Sequence, residues 1–430
     1  MAVDPKNSDQ QSRPSVFNRS AQHDAKRQAI LSQAAKLFNS KGSRATTLRD
    51  IAASLGLTKT SLYYYVKTKE ELIYQCYMAA LEHHNRTFDI VEAKHTDPVA
   101  RASAFFLQHF DNWSAAQRGE GPHIAALLEI AALKGSHRQA VEEQYIAMFV
   151  RLRGYLEAGI ADGSMRGCDP TSATRAILGS VEWTFYWLHD VPYDQVDEIA
   201  GKALDIVSRG LRAGSKEYQA RPVPAEPAGS HNLQGFNREE QNRLKQEAFY
   251  KTGTRFFNRQ GFNGTSLDEI AEQLNVSKGA FYYHIKNKED LLFNCYSRSL
   301  EITEAIYQQQ LPDNSTGLEK MEQVCRRIFH VQNSEDGPLI RYNTITALPR
   351  ERRLEILHRT ERTNERFGEF IVEGIADGSI RPIETFVAQN LIAGAVNAAM
   401  DIKLWRKVDD IDAAAIDYFD IFFNGFISRG

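Results

Sequence analysis

Cysteine is scarce. The 430 residues contain four, Cys76, Cys168, Cys295 and Cys325, with neither a CxxC pair nor a Cys/His metal spacing. His83-His84 offers no metal site either, because adjacent positions converge poorly on one ion. Neither a metal nor a cofactor is expected. Long apolar runs are also missing. IAALLEIAAL is broken by Glu129 and falls short of the roughly 18 residues a membrane span needs. The opening MAVDPKNSDQQS lacks the basic-then-apolar pattern of a signal peptide, so a cytoplasmic chain with no membrane association is expected. Catalytic signatures are absent: no P-loop, no GxGxxG behind a strand, no HExxH and no GxSxG. No run alternates strictly between apolar and polar residues within hairpin turns, which leaves no signal for a sheet.

What is present is ordinary in amount and unusual in arrangement. Hydrophobic residues at 42% and charged residues at 25% suit a soluble chain of two domains, each able to bury a core. The net charge of −3 hides an excess of Lys and Arg in the first 77 residues, which implies an anionic partner at that end. Residues 42–77 and 261–296 align without a gap and share 15 of 36 positions, ending in the matched Cys76-Tyr and Cys295-Tyr pairs. Each of those cysteines reads either as a small buried side chain or as a redox switch. GP recurs at 121–122 and 337–338, and GIADGS at 159–164 and 374–379. Whole domains of about 200 residues are therefore duplicated in register. The expected division is a polar tail at 1–20, head one at 21–78, body one at 79–212, a Pro/Gly-containing linker at 213–236, head two at 237–297 and body two at 298–430.

Every periodic stretch is helical, so the fold class is all-α. Ile30, Ala34, Leu37 and Phe38 keep one-face spacing, matched by Phe249, Gly253, Phe256 and Phe257. Thr47 with Asp50, and Ser266 with Glu269, place a capping hydroxyl three residues ahead of a carboxylate. The helix each opens ends at Gly56 or Asn275, residue types that tolerate the left-handed turn between two helices. Thr58 and Ser277 then cap a third helix of about two turns, anchored through Leu62 and Val66 or Phe281 and Ile285. A second box, Thr68 with Glu71, opens the fourth. This is a helix-turn-helix, and short polar and basic side chains at the start of its third helix suit base edges in a major groove. The competing reading, that its tyrosines are core, requires adjacent residues to share one side of a helix.

TTLRDIAASLGLTKTSLYYYVKTKEEL and TSLDEIAEQLNVSKGAFYYHIKNKEDL both resemble the DNA-binding region of TetR-type bacterial transcription regulators. The resemblance implies two tandem units, each a three-helix DNA-binding head on a helical body that binds a small ligand and dimerises. It implies double-stranded DNA as partner, base reading by Arg49, Lys59, Thr60, Ser61 and Tyr63, and phosphate contacts from Thr47, Tyr64, Tyr65, Lys67 and Lys69. In copy two Lys278, Gly279, Ala280 and Tyr282 stand at reading positions, and Ser266, Tyr283, His284, Lys286 and Lys288 at phosphate positions. Asp268 replaces Arg49 there, so head two either reads a different half-site or is degenerate, leaving an adaptor in which only head one binds DNA. The helices beginning after Asp169-Pro170 and after Pro382, each with the helix that follows it, are expected to pair inside one chain as an intrachain pseudo-dimer, with further pairing left open. Phe106, Phe110, Trp113, Trp183, Tyr186 and Trp187 read either as a pocket wall for an apolar effector or as core. Arg341, Arg350, Arg352 and Arg353 read either as contacts to an acidic effector or as a solvated helix face.

Overall fold

In the computed structural model the described residues are 16–220, 238–309, 311, 314–334 and 337–428. Among them every regular element is helical and the β-type pairing is limited to two isolated bridges, so the all-α expectation holds. Head one comprises α1 (Val16–Ala45), α2 (Leu48–Ser54) and α3 (Lys59–Tyr63), and its body α4 (Lys69–Lys94), α5 (Pro98–Arg118), α6 (Gly135–Asp162), α7 (Pro170–Trp187) and α8 (Val196–Arg209). Copy two repeats this order with α9 (Arg238–Gly264), α10 (Leu267–Gln273) and α11 (Lys278–His284) in the head. Its body holds α12 (Lys288–Gln308), α13 (Gly317–Asn333), α14 (Arg350–Asp377), α15 (Thr385–Ala398), the short α16 (Ile402–Trp405) and α17 (Ile411–Asn424). Matching 3-10 turns, Leu127–Ala132 and Tyr342–Ala347, precede α6 and α14.

Local chemistry explains the boundaries. Asp169 accepts from the Ser172 N–H at 2.7 Å with Pro170 at the first helical position, which starts α7 where the sequence places it. Thr316 and Glu319 form a complete capping box at α13. Helix α1 begins at Val16, inside the stretch expected as a tail; residues 1–15 lie outside the described residues.

The two bodies meet along α7 and α15, with α8 and α17 completing a four-helix arrangement. Backbones approach closely at Gly179 and Gly394, which occupy equivalent places in the two copies. A Cβ on Gly394 would lie 2.4 Å from Trp183 Cβ and 2.7 Å from Gly179 O, and one on Gly179 would lie 2.4 Å from Ala398 Cβ. Ser180 Oγ donates to Leu391 O at 2.8 Å across the same crossing. Outlying contacts are made twice, once in each direction. Arg166 donates to Gly425 O and pairs with Asp420, while its counterpart Arg381 donates to Gly210 O (2.7 Å) and pairs with Asp205 (2.5 Å). Arg212 N–H donates to Phe423 O (3.2 Å), and Ile427 N–H to Ser208 O (2.9 Å). Such reciprocity is the mark of an isologous contact.

The copies also interlock near the heads. The turn Tyr342–Ala347 packs on α1, and Leu127–Ala132 packs on α9. Glu129 accepts from Ser43 of its own copy and from Thr346 of the other (2.8 Å). The start of the expected linker is docked on copy two: Ala213 N–H donates to Ser379 O (3.0 Å), and Tyr218 N–H to Asn424 Oδ1 (2.7 Å). The prolines of that linker lie within 221–237, outside the described residues.

Candidate nucleic-acid interface and effector cavity

Each head is built on caps. The Asp50 N–H donates to Thr47 Oγ1 (3.1 Å) and the Thr47 N–H returns to Asp50 Oδ2 (2.8 Å). Gly56 (φ +65°) and Asn275 (φ +52°) take the left-handed conformation at the turn. Thr58 then accepts from the Ser61 N–H (3.1 Å) and Ser277 from the Ala280 N–H (3.2 Å). Leu62 and Val66, or Phe281 and Ile285, are buried and seat the third helix. That helix is five residues long in copy one, shorter than the two turns expected, and seven in copy two. Thr68 accepts from the Glu71 N–H (3.1 Å), but the Glu71 carboxylate accepts from Lys67 N–H (2.9 Å) instead of Thr68, so the expected second box is not closed.

Arg49, Lys59, Thr60, Ser61, Tyr63 and Lys67 are all exposed, with Lys59 Nζ lying 5.3 Å from the Tyr63 ring centroid. Tyr64 is 78% exposed and its counterpart Tyr283 84%, which removes the core reading for both. Other members of the expected set are engaged within the protein. The Thr47 hydroxyl bonds Asp50 (2.7 Å), Lys69 Nζ points to Arg44 O (3.4 Å), and Tyr65 is half-buried against His23. In copy two Lys278, Gly279, Ala280, Tyr282 and Lys286 are exposed, Ser266 caps Glu269 (3.4 Å), and His284 is half-buried against Phe249.

Two ion pairs distinguish the heads. Asp268, where copy one has Arg49, accepts from Lys278 Nζ at 2.6 Å and from the Tyr282 hydroxyl at 3.3 Å. The hydrogen bond to Lys278 holds the Asp268 carboxyl below its usual range, and the same bond holds the Lys278 ammonium above its own. Second, the heads touch where Arg44 pairs with Glu289 (2.7 Å) and lies over the Phe262 ring (4.3 Å). Lys288 is drawn into this contact: its Nζ donates to Thr265 O (2.8 Å), and burial, then Arg44, push its pKa down. It is therefore placed less openly than a phosphate-binding lysine on a free surface. Asp268→Ala removes a negative charge and releases Lys278. The expected outcome is tighter DNA binding by the full chain, with the log–log salt slope steeper by about one ion. Filter-binding titrations at several salt concentrations check it, and an unchanged slope refutes it.

A cavity of about 560 Å³ opens in copy one among α1, α5, α6 and α7, within the range of small-molecule sites. The expected wall divides. Trp113 and Tyr186 line the cavity; Phe106, Phe110 and Trp187 are buried in packed core and do not; Trp183 lines a smaller void of about 70 Å³ in copy two. Helical geometry gives the reason. Phe105, His109 and Trp113 follow i, i+4, i+8 on the cavity face, whereas Phe106 and Phe110 sit about 100° round the helix. The polar lining escaped the sequence reading, although His84, His109 and Glu182 interrupt otherwise apolar helix faces. Burial pushes the His109 pKa down to about 3 and the His84 pKa down to about 4, so both are neutral at pH 7. His109 Nε2 is 2.7 Å from Thr184 Oγ1, whose proton goes to Val181 O (2.7 Å), which makes Nε2 the donor. Glu182 accepts from Tyr145 and from Arg175 (3.2 Å). Of the four arginines, Arg353 lines this cavity from copy two, Arg341 pairs with Asp401, Arg352 pairs with Asp290 (3.2 Å), and Arg350 is exposed. Cys76 and Cys295 are buried, their pKa values pushed up to about 12 by desolvation, which favours the packing role.

Among the described residues no helix is long and apolar enough to cross a membrane, and no group of three or more His, Cys, Asp or Glu is placed to hold a metal. The family model for bacterial regulatory proteins of the tetR family matches twice, at residues 30–76 and 249–295. The model for the tetracyclin repressor-like C-terminal domain also matches twice, at 106–211 and 314–401. The chain is similar to the HTH-type transcriptional regulator HbdR of Aromatoleum sp. (strain CIB), 27% identical over 166 residues, covering 37% of this chain and 70% of the relative. It is similar also to the HTH-type transcriptional repressor KstR2 of Rhodococcus jostii (strain RHA1), 28% identical over 191 residues, covering 43% of this chain and 91% of the relative. A solved structure, the TetR family transcriptional regulator PfmR from Thermus thermophilus, is 28% identical with a TM-score of 0.34, covering 40% of this chain and 92% of that one. One copy of this chain thus spans most of a relative. With both family models matched twice over more than half of its length, the chain belongs to the TetR family of DNA-binding transcription regulators, as a tandem duplication.

Proposed function

We propose that the chain is a cytoplasmic repressor working as an intrachain pseudo-dimer, with one chain placing two heads on double-stranded DNA and releasing it when a small effector enters the body. The observation that carries this reading is the reciprocal packing of α7, α8, α15 and α17 within one chain, beneath two capped helix-turn-helix units with exposed third helices. Arg49, Lys59, Thr60, Ser61 and Tyr63 are the base readers, and Tyr64 and Lys67 the principal phosphate contacts, of head one. In head two Lys278, Gly279, Ala280 and Tyr282 take the reading role and Tyr283 and Lys286 the phosphates. The Asp268–Lys278 pair makes this the weaker head and gives it a different base preference, so the operator need not be a palindrome.

Release follows from where the cavity lies. Lys36, Asn39 and Ser40 of α1 line it, so a bound molecule touches the helix that carries head one. A ligand that favours one seating of α1 over another shifts the spacing of the heads by its differential affinity for the two states. Selection of genomic fragments with the purified chain tests the reading. A fragment whose affinity falls linearly with salt on log–log axes, by about 0.9 per phosphate neutralised, is expected. No enriched fragment at low salt would refute it.

A further inference from the structure

Both copies fold alike, yet among the described residues the cavity of about 560 Å³ in copy one is matched in copy two by a void of only about 70 Å³. The responsible residues can be matched by their hydrogen bonds. Asn39 donates to Ile124 O (2.8 Å) and accepts from the Ala126 N–H (2.9 Å); Asn258 donates to Leu339 O (2.8 Å) and accepts from the Arg341 N–H (2.9 Å). Leu127, the next residue in copy one, therefore corresponds to Tyr342 in copy two. Leu127 lines the large cavity. The Tyr342 ring extends to α14, where its hydroxyl bonds Thr360, and packs against Trp183 and Tyr296 at 5.3 and 5.4 Å between centroids. What is left beside it is the void of about 70 Å³, room for about two waters.

The walls differ as well. Leu354 and Leu357 of copy two's α14 close the copy-one cavity from across the junction, whereas their counterparts in α6, Gln139 and Glu142, are polar and line neither cavity. Next to those leucines stands Arg353, which donates to Lys41 O (3.4 Å) and so sits against α1. Lys36, five residues earlier on α1, lines the same cavity. Two cations, one from each copy, thus line a cavity whose wall is apolar at Phe105, Trp113, Leu354 and Leu357 and polar deeper in, at His84, His109 and Glu182.

We infer that the chain binds a single effector, an apolar molecule with one anionic end, its body between Phe105, Trp113 and Leu354 and its anion shared by Lys36 of copy one and Arg353 of copy two. This rests on the effector reading above and adds stoichiometry, charge class and route of action. An anion held by both side chains ties α1 of head one to α14 of the other copy. The effector then acts on the relation between the copies and not within either one.

A dansyl-labelled undecanoic acid and its neutral methyl ester test this on the full chain by fluorescence titration. One carboxylate probe per chain is expected. Leu127→Tyr, which installs copy two's ring in copy one, should abolish saturable binding. Lys36→Ala/Arg353→Ala lies at the rim and should weaken the carboxylate about tenfold while leaving the ester within about twofold. Two probes per chain, undiminished binding by a folded Leu127→Tyr chain, or equal losses for acid and ester would overturn the inference and leave the effector reading standing. No saturable binding of either probe to the unaltered chain would overturn both.

Discussion

Asp401→Asn is expected to destabilise the folded chain by about 3–5 kcal/mol, because it strands two guanidinium groups at the junction of the copies. Asp401 accepts from Arg175 Nε of copy one at 2.8 Å and from Arg341 of its own copy, and all three side chains are largely buried. Among the described residues Arg175 keeps Glu182, at 3.2 Å, as its acidic partner when the aspartate is neutral. Urea unfolding checks the loss, and Asp401→Asn in an Arg175→Met/Arg341→Met background should cost far less, since no charge is then left unpaired. Equal costs in both backgrounds would show that the carboxylate is not what holds the arginines. The pH dependence has a definite sign. Burial pushes the Asp401 pKa up, but Arg175 and then Arg341 outweigh it and hold the carboxyl below its ordinary value of 3.8. A group whose folded pKa is depressed stabilises above the unfolded pKa and loses that stabilisation as pH falls through the folded one. The unaltered chain should therefore lose stability below about pH 4 more steeply than Asp401→Asn does.

Gly394→Leu is expected to cost about 3 kcal/mol by overpacking, since its first side-chain carbon would fall within 2.7 Å of backbone at Gly179. The obstacle is main chain, which cannot rotate away, so the copies must separate along α7 and α15. Gly201→Ala serves as the control. It lies on α8 with nothing within 4 Å of the added carbon, and should leave the unfolding midpoint unchanged or slightly raised. If Gly394→Leu unfolds at the same midpoint as the control, the crossing is looser than its geometry states.

These two sites mark the boundary of what the sequence made legible. The heads were readable because their signals are local: Thr47 with Asp50, Gly56 and Asn275 at the turn, and Thr58 and Ser277 as caps each act within four residues. The duplication was readable from shared residues. What packs across the copies was not, because an apolar stripe reads the same whether its partner lies in the same copy or the other. The docking of Tyr342–Ala347 on α1 and of Arg353 beside Lys41 is of that kind. So is the division of the aromatic run, in which Phe105 and Trp113 face the cavity while Phe106 and Phe110 fill the core: the rows are adjacent on one helix, and packing around α5 chooses between them. The docking of the first residues of the expected linker was hidden for a related reason. The linker's polar composition says nothing of Tyr218, whose backbone is held by Asn424 through bonds of 2.7 and 3.2 Å.

The central claim is that one chain works as two heads on DNA. Hydroxyl-radical footprinting of a selected fragment tests it most directly, with the unaltered chain, with Tyr64→Ala/Lys67→Ala and with Tyr283→Ala/Lys286→Ala. The account predicts two protected half-sites about one helical turn or somewhat more apart, of which the first variant loses one and the second the other. Both half-sites surviving the copy-two substitutions but vanishing together with the copy-one substitutions would contradict it, since head one alone would then occupy both halves through pairing of separate chains.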